Sequence, residues 1–284
     1  MRRAQDIAQQ EQAMGVIAEL TSAFEGIASM RISQVKNQVQ SSQAFFDELW
    51  GIYTQLRADN LFRFGRSQTE AKIIDKELLI VITAEGGFSG DIDQKLINWM
   101  LKSYDKTRQD IIVIGYHGAV QLAQRGVSFK KYFKLPNKDQ NINVLPLIQE
   151  VQQYRSSMVY YQTYVSLMVQ DVKRIELAKA VVEKGQRTQA KEDLITEETY
   201  IFEPSAFAVV DHLESSMLQI ALSQVIFESK LAQYASRFRA MSQANSRADE
   251  SLGDLRLLLN RASRAAKDER LKEIINGMKR AKAL

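Results

Sequence analysis

The fold of this chain is decided by residues 213–266, which read LESSMLQIALSQVIFESKLAQYASRFRAMSQANSRADESLGDLRLLLNRASRAA. They belong to the 80 residues after Pro204, which contain no proline and only two glycines, Gly253 and Gly277. Apolar residues recur at alternating spacings of three and four, the period of a narrow seam packed on another helix rather than of a helix lying on a broad core. Sixteen positions share this register: Leu213, Met217, Ile220, Gln224, Phe227, Leu231, Tyr234, Phe238, Met241, Asn245, Ala248, Leu252, Leu255, Leu259, Ala262 and Ala266.

Residues 4–57 show the same pattern at the other end of the chain. At 1.5 Å per residue the C-terminal helix extends roughly 120 Å, so we expect it to protrude from any compact domain and to need a partner helix. The N-terminal segment is the expected partner helix, because it repeats the pattern and contains no proline that would break a long helix. Its alternation runs with a one-residue slip after Ala28. The positions are Met14, Ile17, Thr21, Phe24, Ala28, Ile32, Val35, Val39, Ser42, Phe46, Leu49, Tyr53 and Leu56.

These two segments predict an antiparallel coiled coil formed by the ends of the chain; two helices of an ordinary bundle are the alternative. After Ala266 the register fails, and Leu271, Ile274, Ile275 and Met278 form a new stripe among charged residues. We therefore expect the end of the C-terminal helix to outrun its partner and to be enclosed by another protein.

The middle of the chain predicts a small α/β unit. Continuous apolar runs at 77–83 and 111–114 are typical of buried parallel strands. Residues 127–133 and two segments within 159–182 also look extended. Helices are expected from Ile92 to Met100, over 118–125, and from Pro146 to about Ser156. The segment 183–199 is expected to be a loop or hairpin. The predicted fold class is α/β, with a Rossmann-like central domain (67–199) between an N-terminal helix (1–66) and a C-terminal helix (200–284).

Composition excludes several kinds of chemistry. The absence of cysteine rules out disulfides, cysteine metal sites and thiol catalysis. No run of eighteen apolar residues exists, so we expect no membrane insertion. The net charge of +4 is spread over mixed-charge helices without a basic run interleaved with aromatics, so nucleic-acid binding is not indicated.

The glycine-rich turn Gly86-Gly87-Phe88-Ser89-Gly90 is the one feature of the middle region that suggests chemistry. It lies between a predicted strand and a helix, but it matches neither a Walker loop nor a dinucleotide fingerprint, so a structural turn is the favoured interpretation. His117 follows the second strand and is expected to be a loop residue. Glu85 and Asp91 are expected to act as caps rather than as an acid/base pair. We predict no catalytic residue, cofactor site or metal site.

Four segments resemble the γ subunit of F-type ATP synthases, and together they cover nearly the whole chain. Leu20–Arg31 is similar to the family's N-terminal motif, and Thr83–Gly90 stands where the family has Ser-Asp-Arg-Gly-Leu-Cys-Gly. Tyr200–Ser205 opens the C-terminal helix as in the family. The stretch from Glu228 to Met241, with Asn245 and Asn260–Arg264, follows the C-terminal signature, which is the most specific of the four.

The resemblance implies a central-stalk rotor, not an enzyme. In the family the terminal helices form a shaft inside a ring of α and β subunits, and the α/β domain contacts the ε subunit and the membrane rotor ring (c-ring). It implies a peripheral position on the cytoplasmic face of the cell membrane. It also implies ring contacts at Phe24, Glu25, Asn260, Arg261 and Arg264, for which a solvated helix surface is the alternative.

This sequence departs from the family pattern at both ends. Phe24 and Glu25 stand where Met and Lys are usual, and the C-terminal tail carries Lys279, Arg280 and Lys282 where the family is largely apolar. Three other functions stay open: a rotor paralogue of a specialised hydrolytic F-like ATPase, a coiled-coil scaffold without a motor role, and a small α/β enzyme with helical arms.

Overall fold

A computed structural model describes residues 4–55, 74–135, 139, 142–186, 203 and 205–281. Within them the chain forms two long helices, four short helices and five strands. In chain order these are α1 (Ala4–Gln55), β1 (Ile74–Ile82), α2 (Ile92–Leu101), β2 (Gln109–Ile114), α3 (Tyr116–Gln124), β3 (Lys131–Phe133), α4 (Leu145–Val151), β4 (Tyr154–Tyr164), β5 (Gln170–Glu176), α5 (Leu177–Gln186) and α6 (Ala206–Ala281).

The five strands form one sheet in the order β3-β2-β1-β4-β5. β1, β2, β3 and β4 are parallel, and β5 returns antiparallel to β4. The mostly parallel sheet predicted from the apolar strand runs is therefore confirmed.

Helices cover both faces of this sheet. Successive strand residues point to opposite faces, so the continuous apolar run of β1 contributes to a separate core on each face. Leu78, Ile80 and Ile82 of β1 belong to a core shared with α1, α4, α5 and α6. Leu79 and Val81 belong to a second core shared with α2 and α3. Burial on both sides explains why β1 reads as a continuous apolar run rather than as an alternating one.

Several predicted boundaries were wrong where the sheet overrides local sequence preference. The predicted strand over 127–133 is reduced to a three-residue, largely exposed edge strand, β3. α4 ends at Val151 instead of near Ser156, because the Ile74 N–H binds the Gln153 carbonyl at 2.9 Å and draws the chain into β4. The end of the predicted extended segment and the start of the predicted loop are helical in α5; residues 187–199 lie outside the described residues.

Contacts divide the chain into two compact units, Ala28–Arg237 and a second formed by Met1–Ile27 with Phe238–Leu284. We call them the sheet unit and the helix-pair unit. The predicted domain boundaries near residues 66 and 199 fall outside the described residues and stay predictions.

In the sheet unit, α6 is buried on a broad surface, so the prediction of a narrow seam was wrong for this part of the helix. Val210, Leu218, Ala221, Leu222 and Val225 are all buried although they lie off the predicted register. They pack into the core on one face of the sheet. A sheet is wide enough to cover several sides of a helix, whereas a partner helix covers one stripe.

The helix-pair unit has the predicted antiparallel arrangement. Thr21 Oγ1 donates to Asn245 Oδ1 at 3.1 Å, and Arg256 Nε lies 3.1 Å from Glu11 Oε1. Residue numbers fall along α1 as they rise along α6. Here the narrow seam predicted for α6 is present: Met241 and Ala248 are buried, and the register positions between Phe238 and Ala262 are otherwise half-buried.

The predicted slip in α1 is absent. From Ile7 to Tyr53 a residue is buried or half-buried at every step of alternating four and three residues, because Ala18 and Glu25 occupy the inward positions that were assigned to Ile17 and Phe24. The seam residues of α1 are Ile7, Glu11, Met14, Ala18, Thr21, Glu25, Ala28, Ile32, Val35, Val39, Ser42, Phe46, Leu49 and Tyr53. The unbroken 3-4 spacing means one continuous heptad phase along α1.

Candidate partner-binding surfaces

The helix-pair unit buries small side chains and exposes large apolar ones. Among its described residues the buried apolar side chains are Ile7, Ala18, Met241 and Ala248, two of them alanines. On α1, a stripe of apolar side chains lies beside the seam, and Val16 and Leu20 within it are 51% and 53% exposed. We call this surface the α1 stripe; its members are Val16, Ile17, Leu20, Phe24 and Ile27. Contiguous exposed apolar surface of this kind marks an interaction site.

A groove beside the seam joins both helices of this unit. Its volume is about 450 Å³, and Met14 and Ile17 of α1 face Leu255 and Leu258 of α6 across it. The groove continues the apolar character of the α1 stripe onto α6.

The end of α6 is uncovered. Every side chain from Arg264 to Lys279 is exposed, including Leu271, Ile274, Ile275 and Met278, which are 49–60% exposed. The predicted loss of a partner near Ala266 is thus confirmed for the described part of α6. A helix with a stripe exposed on this scale gains little from packing within its own chain.

The five predicted ring-contact residues lie in two separate groups. Phe24 is 38% exposed in the α1 stripe, whereas Glu25 is half-buried at a seam position. Asn260, Arg261 and Arg264 are exposed on α6. Since Thr21 pairs with Asn245, Phe24 lies opposite about residue 242, and Arg261 is roughly 28 Å further along the pair.

In the sheet unit, the glycine-rich turn contacts α6 rather than presenting an open ligand site. Arg237 donates to the carbonyls of Gly86 and Gly87 at 3.2 and 3.1 Å, and Ser236 Oγ donates to the Ser89 carbonyl at 2.7 Å. Three carbonyl oxygens of the turn are therefore engaged by side chains of α6. The interpretation as a structural turn is supported by these contacts.

The acids beside the turn have structural partners. Glu85 accepts the Tyr116 N–H at 2.6 Å, and Tyr116 is the first residue of α3. It also accepts the Tyr132 hydroxyl at 2.8 Å, and partial desolvation together with the Glu85 carboxylate raises the pKa of this half-exposed Tyr132 to about 12. Asp91 precedes α2 without a side-chain capping bond and pairs with Lys95 at 3.0 Å. Capping thus accounts for Glu85 but not for Asp91.

A buried polar network lies behind the turn. The Asp93 carboxylate accepts the Ala84 N–H at 3.2 Å and the Gln162 amide at 2.6 Å, and it lies 3.1 Å from His117 Nδ1. Gln162 Oε1 in turn accepts hydrogen bonds from Ser229 and Gln233 of α6. The hydrogen bond to Asp93 raises the pKa of His117, against an opposing effect of desolvation.

Sequence reasoning singled out His117 but missed Asp93, Gln162, Ser229 and Gln233. One signal was available for part of the set: Ser229, Gln233 and Ser236 share a helix face at spacings of four and three, so that small polar side chains line one stripe of α6. A polar stripe on an otherwise apolar helix indicates a polar partner.

A second buried charge cluster ties α1 to α6 within the sheet unit. Asp139 lies 2.5 Å from Lys230 Nζ and 3.1 Å from Arg31 Nη1, and it accepts the Tyr234 hydroxyl at 3.2 Å. Both Asp139 and Lys230 are at most 5% exposed. Buried ion pairs of this kind fix one arrangement of the elements that carry them.

Among the described residues, no group of three or more His, Asp or Glu side chains is arranged to hold a metal ion. In the same part of the chain, none of the helices is both long and apolar enough to cross a lipid bilayer.

A family model described as ATP synthase matches residues 3–281 of this chain. The chain belongs to the ATP synthase family. Within this ATP synthase family the similar curated proteins are γ chains, which identifies the chain as a γ-type subunit. The ATP synthase γ chain of Cytophaga hutchinsonii is 23% identical over 91% of this chain and 92% of its own length. That of Leuconostoc citreum is 24% identical over 98% and 99%.

Solved ATP synthase structures have the same fold. A chain in the central stalk and c-ring structure of the Tetrahymena thermophila mitochondrial ATP synthase aligns with a TM-score of 0.57 and 15% identity. It covers 79% of this chain and 99% of its own. One in the Euglena gracilis mitochondrial OSCP/F1/c-ring structure aligns with a TM-score of 0.53 and 14% identity, covering 91% and 94%. The α/β fold with long terminal helices is thereby confirmed.

Proposed function

We propose that this chain is the central-stalk rotor of an F-type proton-translocating ATP synthase and does no bond chemistry itself. The observation that carries the proposal is the composition of the helix-pair unit, which buries alanines and exposes Leu20, Phe24 and the Leu271–Met278 stripe. Such a helix pair is poorly stabilised alone and suits an enclosing protein.

The proposed mechanism is coupling by differential contact. The α1 stripe lies on one side of the helix pair, so the pair presents different surfaces to different neighbours. In a ring of α and β subunits, turning this surface stabilises a different conformation of each catalytic β subunit in turn. Family membership and the fold of central-stalk structures support this assignment.

The proposed partners are the α and β subunits, the ε subunit and the c-ring. The solved complexes that contain similar chains are described as central stalk with c-ring and as F1 with c-ring. We propose that the complex holds the chain peripherally at the cytoplasmic face of the cell membrane. Phe24, Asn260, Arg261 and Arg264 are proposed ring contacts on the exposed surface, and Glu25 contributes from the seam.

A second candidate is a rotor paralogue in a hydrolytic F-like ATPase. It is favoured by the charge of the α6 end, where Lys267, Arg270 and Lys279 are exposed beside the apolar stripe. Proton pumping by the assembled complex distinguishes the two candidates. A membrane complex that pumps protons during ATP hydrolysis supports the ATP synthase rotor, and a complex that lacks any c-ring supports the hydrolytic paralogue.

Reconstitution with the α and β subunits of the same genome tests the proposal. We expect a stable complex whose ATP hydrolysis depends on this chain, and weaker binding or turnover when residues 267–284 are removed. Phe24→Ser should lower affinity for the ring by at least about tenfold, because it forfeits burial of an aromatic side chain. Ser22→Ala, at an exposed neighbouring position, is the matched control. A chain that binds no ring would contradict the rotor assignment and favour a scaffold.

A further inference from the structure

The glycine-rich turn is held by α6 through its main chain. The carbonyls of Gly86, Gly87 and Ser89 accept hydrogen bonds from just two adjacent side chains, Ser236 and Arg237. Ser236 is 1% exposed, so its bond to the turn is shielded from water. Burial lowers the pKa of Arg237, and its guanidinium also lies over the Tyr234 ring.

The turn itself adopts a backbone that needs support. Phe88 has φ 67°, in the left-handed region that bulky residues avoid, and Gly90 follows with φ 65°. Such a conformation persists where the surroundings hold it in place. Here the holding groups flank Phe88 on both sides, at the Gly87 and Ser89 carbonyls.

A second line of hydrogen bonds runs deeper into the same junction. The Asp93 carboxylate of α2 accepts from Gln162 of β4, and Gln162 accepts from Ser229 and Gln233 of α6. The four side chains along this line are buried, as is Ser236: Asp93, Gln162, Ser229, Gln233 and Ser236. Three elements are thus tied together by directional contacts.

Directional contacts and apolar contacts resist motion differently. Apolar burial is non-directional, so two apolar surfaces can slide past each other at a small cost in free energy. A buried hydrogen bond that is displaced leaves unsatisfied polar groups, which is costly. From residue 210 to 227 α6 packs on the sheet with apolar side chains, and from 229 to 237 the polar junction is added.

We propose that Ser229, Gln233, Ser236 and Arg237 form a joint that passes torque between the sheet and α6, through their direct contacts with the turn and β4 and through the Gln162–Asp93 bond to α2. The proposal rests on the proposed rotor function, and it names Arg237 as a positioning residue. The sheet and α6 turn as one body across this joint during each cycle.

Arg237→Gln in the assembled membrane complex tests the joint under load. ATP hydrolysis and proton pumping are measured in vesicles while the opposing proton gradient is raised. Without load the variant is expected to pump as the unsubstituted complex does. Under load its protons pumped per ATP are expected to fall at least about twofold, as for a substitution that weakens coupling between sites. Arg247→Gln, an exposed arginine on the same helix, is the control. A general folding defect would lower hydrolysis and pumping together at every load.

A reversible cross-link gives a second test, which begins with Arg237 unsubstituted. The chain has no cysteine, and a Cβ on Gly90 would lie 3.5 Å from Ser236 Oγ. Gly90→Cys with Ser236→Cys therefore places two sulfur atoms within reach of a disulfide. The pair strains the backbone at Gly90, where φ is 65°, and removes the Ser236 hydrogen bond, so the oxidised and reduced forms of the same variant are compared. The oxidised complex is expected to turn over as fast as the same protein after reduction. With Arg237→Gln added, oxidation is expected to restore pumping under load. Turnover that stops on oxidation would overturn the joint, because it would show that the turn moves relative to α6.

The two proposals fail differently. An unsubstituted complex that hydrolyses ATP without moving protons contradicts the rotor function and the joint together. If that complex pumps and Arg237→Gln matches Arg247→Gln at every load, only the joint is overturned.

Discussion

At the scale of single residues, the pair formed by His117 and Asp93 makes stability depend on pH. Three charged groups act on the imidazole: Asp93 and Glu85 favour its protonated form, and Arg237 opposes it. The balance raises the pKa of His117 above 6.5. A histidine whose pKa is raised on folding contributes stability that is fully present below its unfolded pKa and is lost as pH rises through the folded value.

We therefore expect His117→Gln to be most destabilising below pH 6.5 and progressively less so on the alkaline side. Thermal unfolding of the full chain at several pH values measures the difference in melting temperature from the unsubstituted protein. His212→Gln removes the chain's other histidine from an exposed position and serves as the control. A difference for His117→Gln that stayed constant with pH would contradict the interpretation.

Single residues were the least predictable part of the site. Glu85 could be expected to cap a helix because capping is a local matter of a few residues. The network around Asp93 could not be predicted from the sequence. Its members Gln162 and Ser229 come from β4 and α6 and meet only after the sheet and the helix have packed.

At the scale of elements, α1 shows why hydrophobic size misleads a register assignment. Ile17 and Phe24 are larger than Ala18 and Glu25 and so were assigned to the seam, which forced a slip at Ala28. The structure instead places Ala18 at 9% exposure and leaves Ile17 46% exposed. Ile17 and Phe24 lie outside the seam positions because, as we propose, they face a different protein.

A pair of matched substitutions tests this register. Ala18→Asp introduces an unpaired charge at a buried position and is expected to cost about 2 kcal/mol of unfolding free energy. Ile17→Asp introduces the same charge one residue away, at an exposed position, and is expected to change stability by less than about 0.5 kcal/mol. Denaturant unfolding of the isolated full chain compares them. Equal losses, or a larger loss for Ile17→Asp, would restore the slipped register.

At the scale of the whole molecule, the fold class was predictable and the burial of the helices was only partly so. Long proline-free seams at both ends and continuous apolar strand runs were enough to predict terminal helices around a parallel sheet. The broad burial of α6 at Leu218 and Leu222 was not predicted, because a seam pattern does not reveal whether a sheet also covers the other sides of a helix.

Limited proteolysis compares the free chain with the assembled complex. Among the sites in the described residues, trypsin is expected to cleave the free chain first after Lys267, Arg270 and Lys272, which are exposed on the uncovered end of α6. Cleavage requires local opening, which costs least where few contacts hold the helix. Lys230, 4% exposed, is the internal control. Assembly is expected to slow the first cuts strongly; equal rates in both states would show that no partner covers this end.

The uncovered end of α6 also bears on the fate of surplus copies in the cell. We expect a newly made chain to display Leu271, Ile274 and Met278 to chaperones and proteases until a partner covers them. Orphan copies are then expected to be degraded faster than assembled ones, which matches the supply of this subunit to that of its partners.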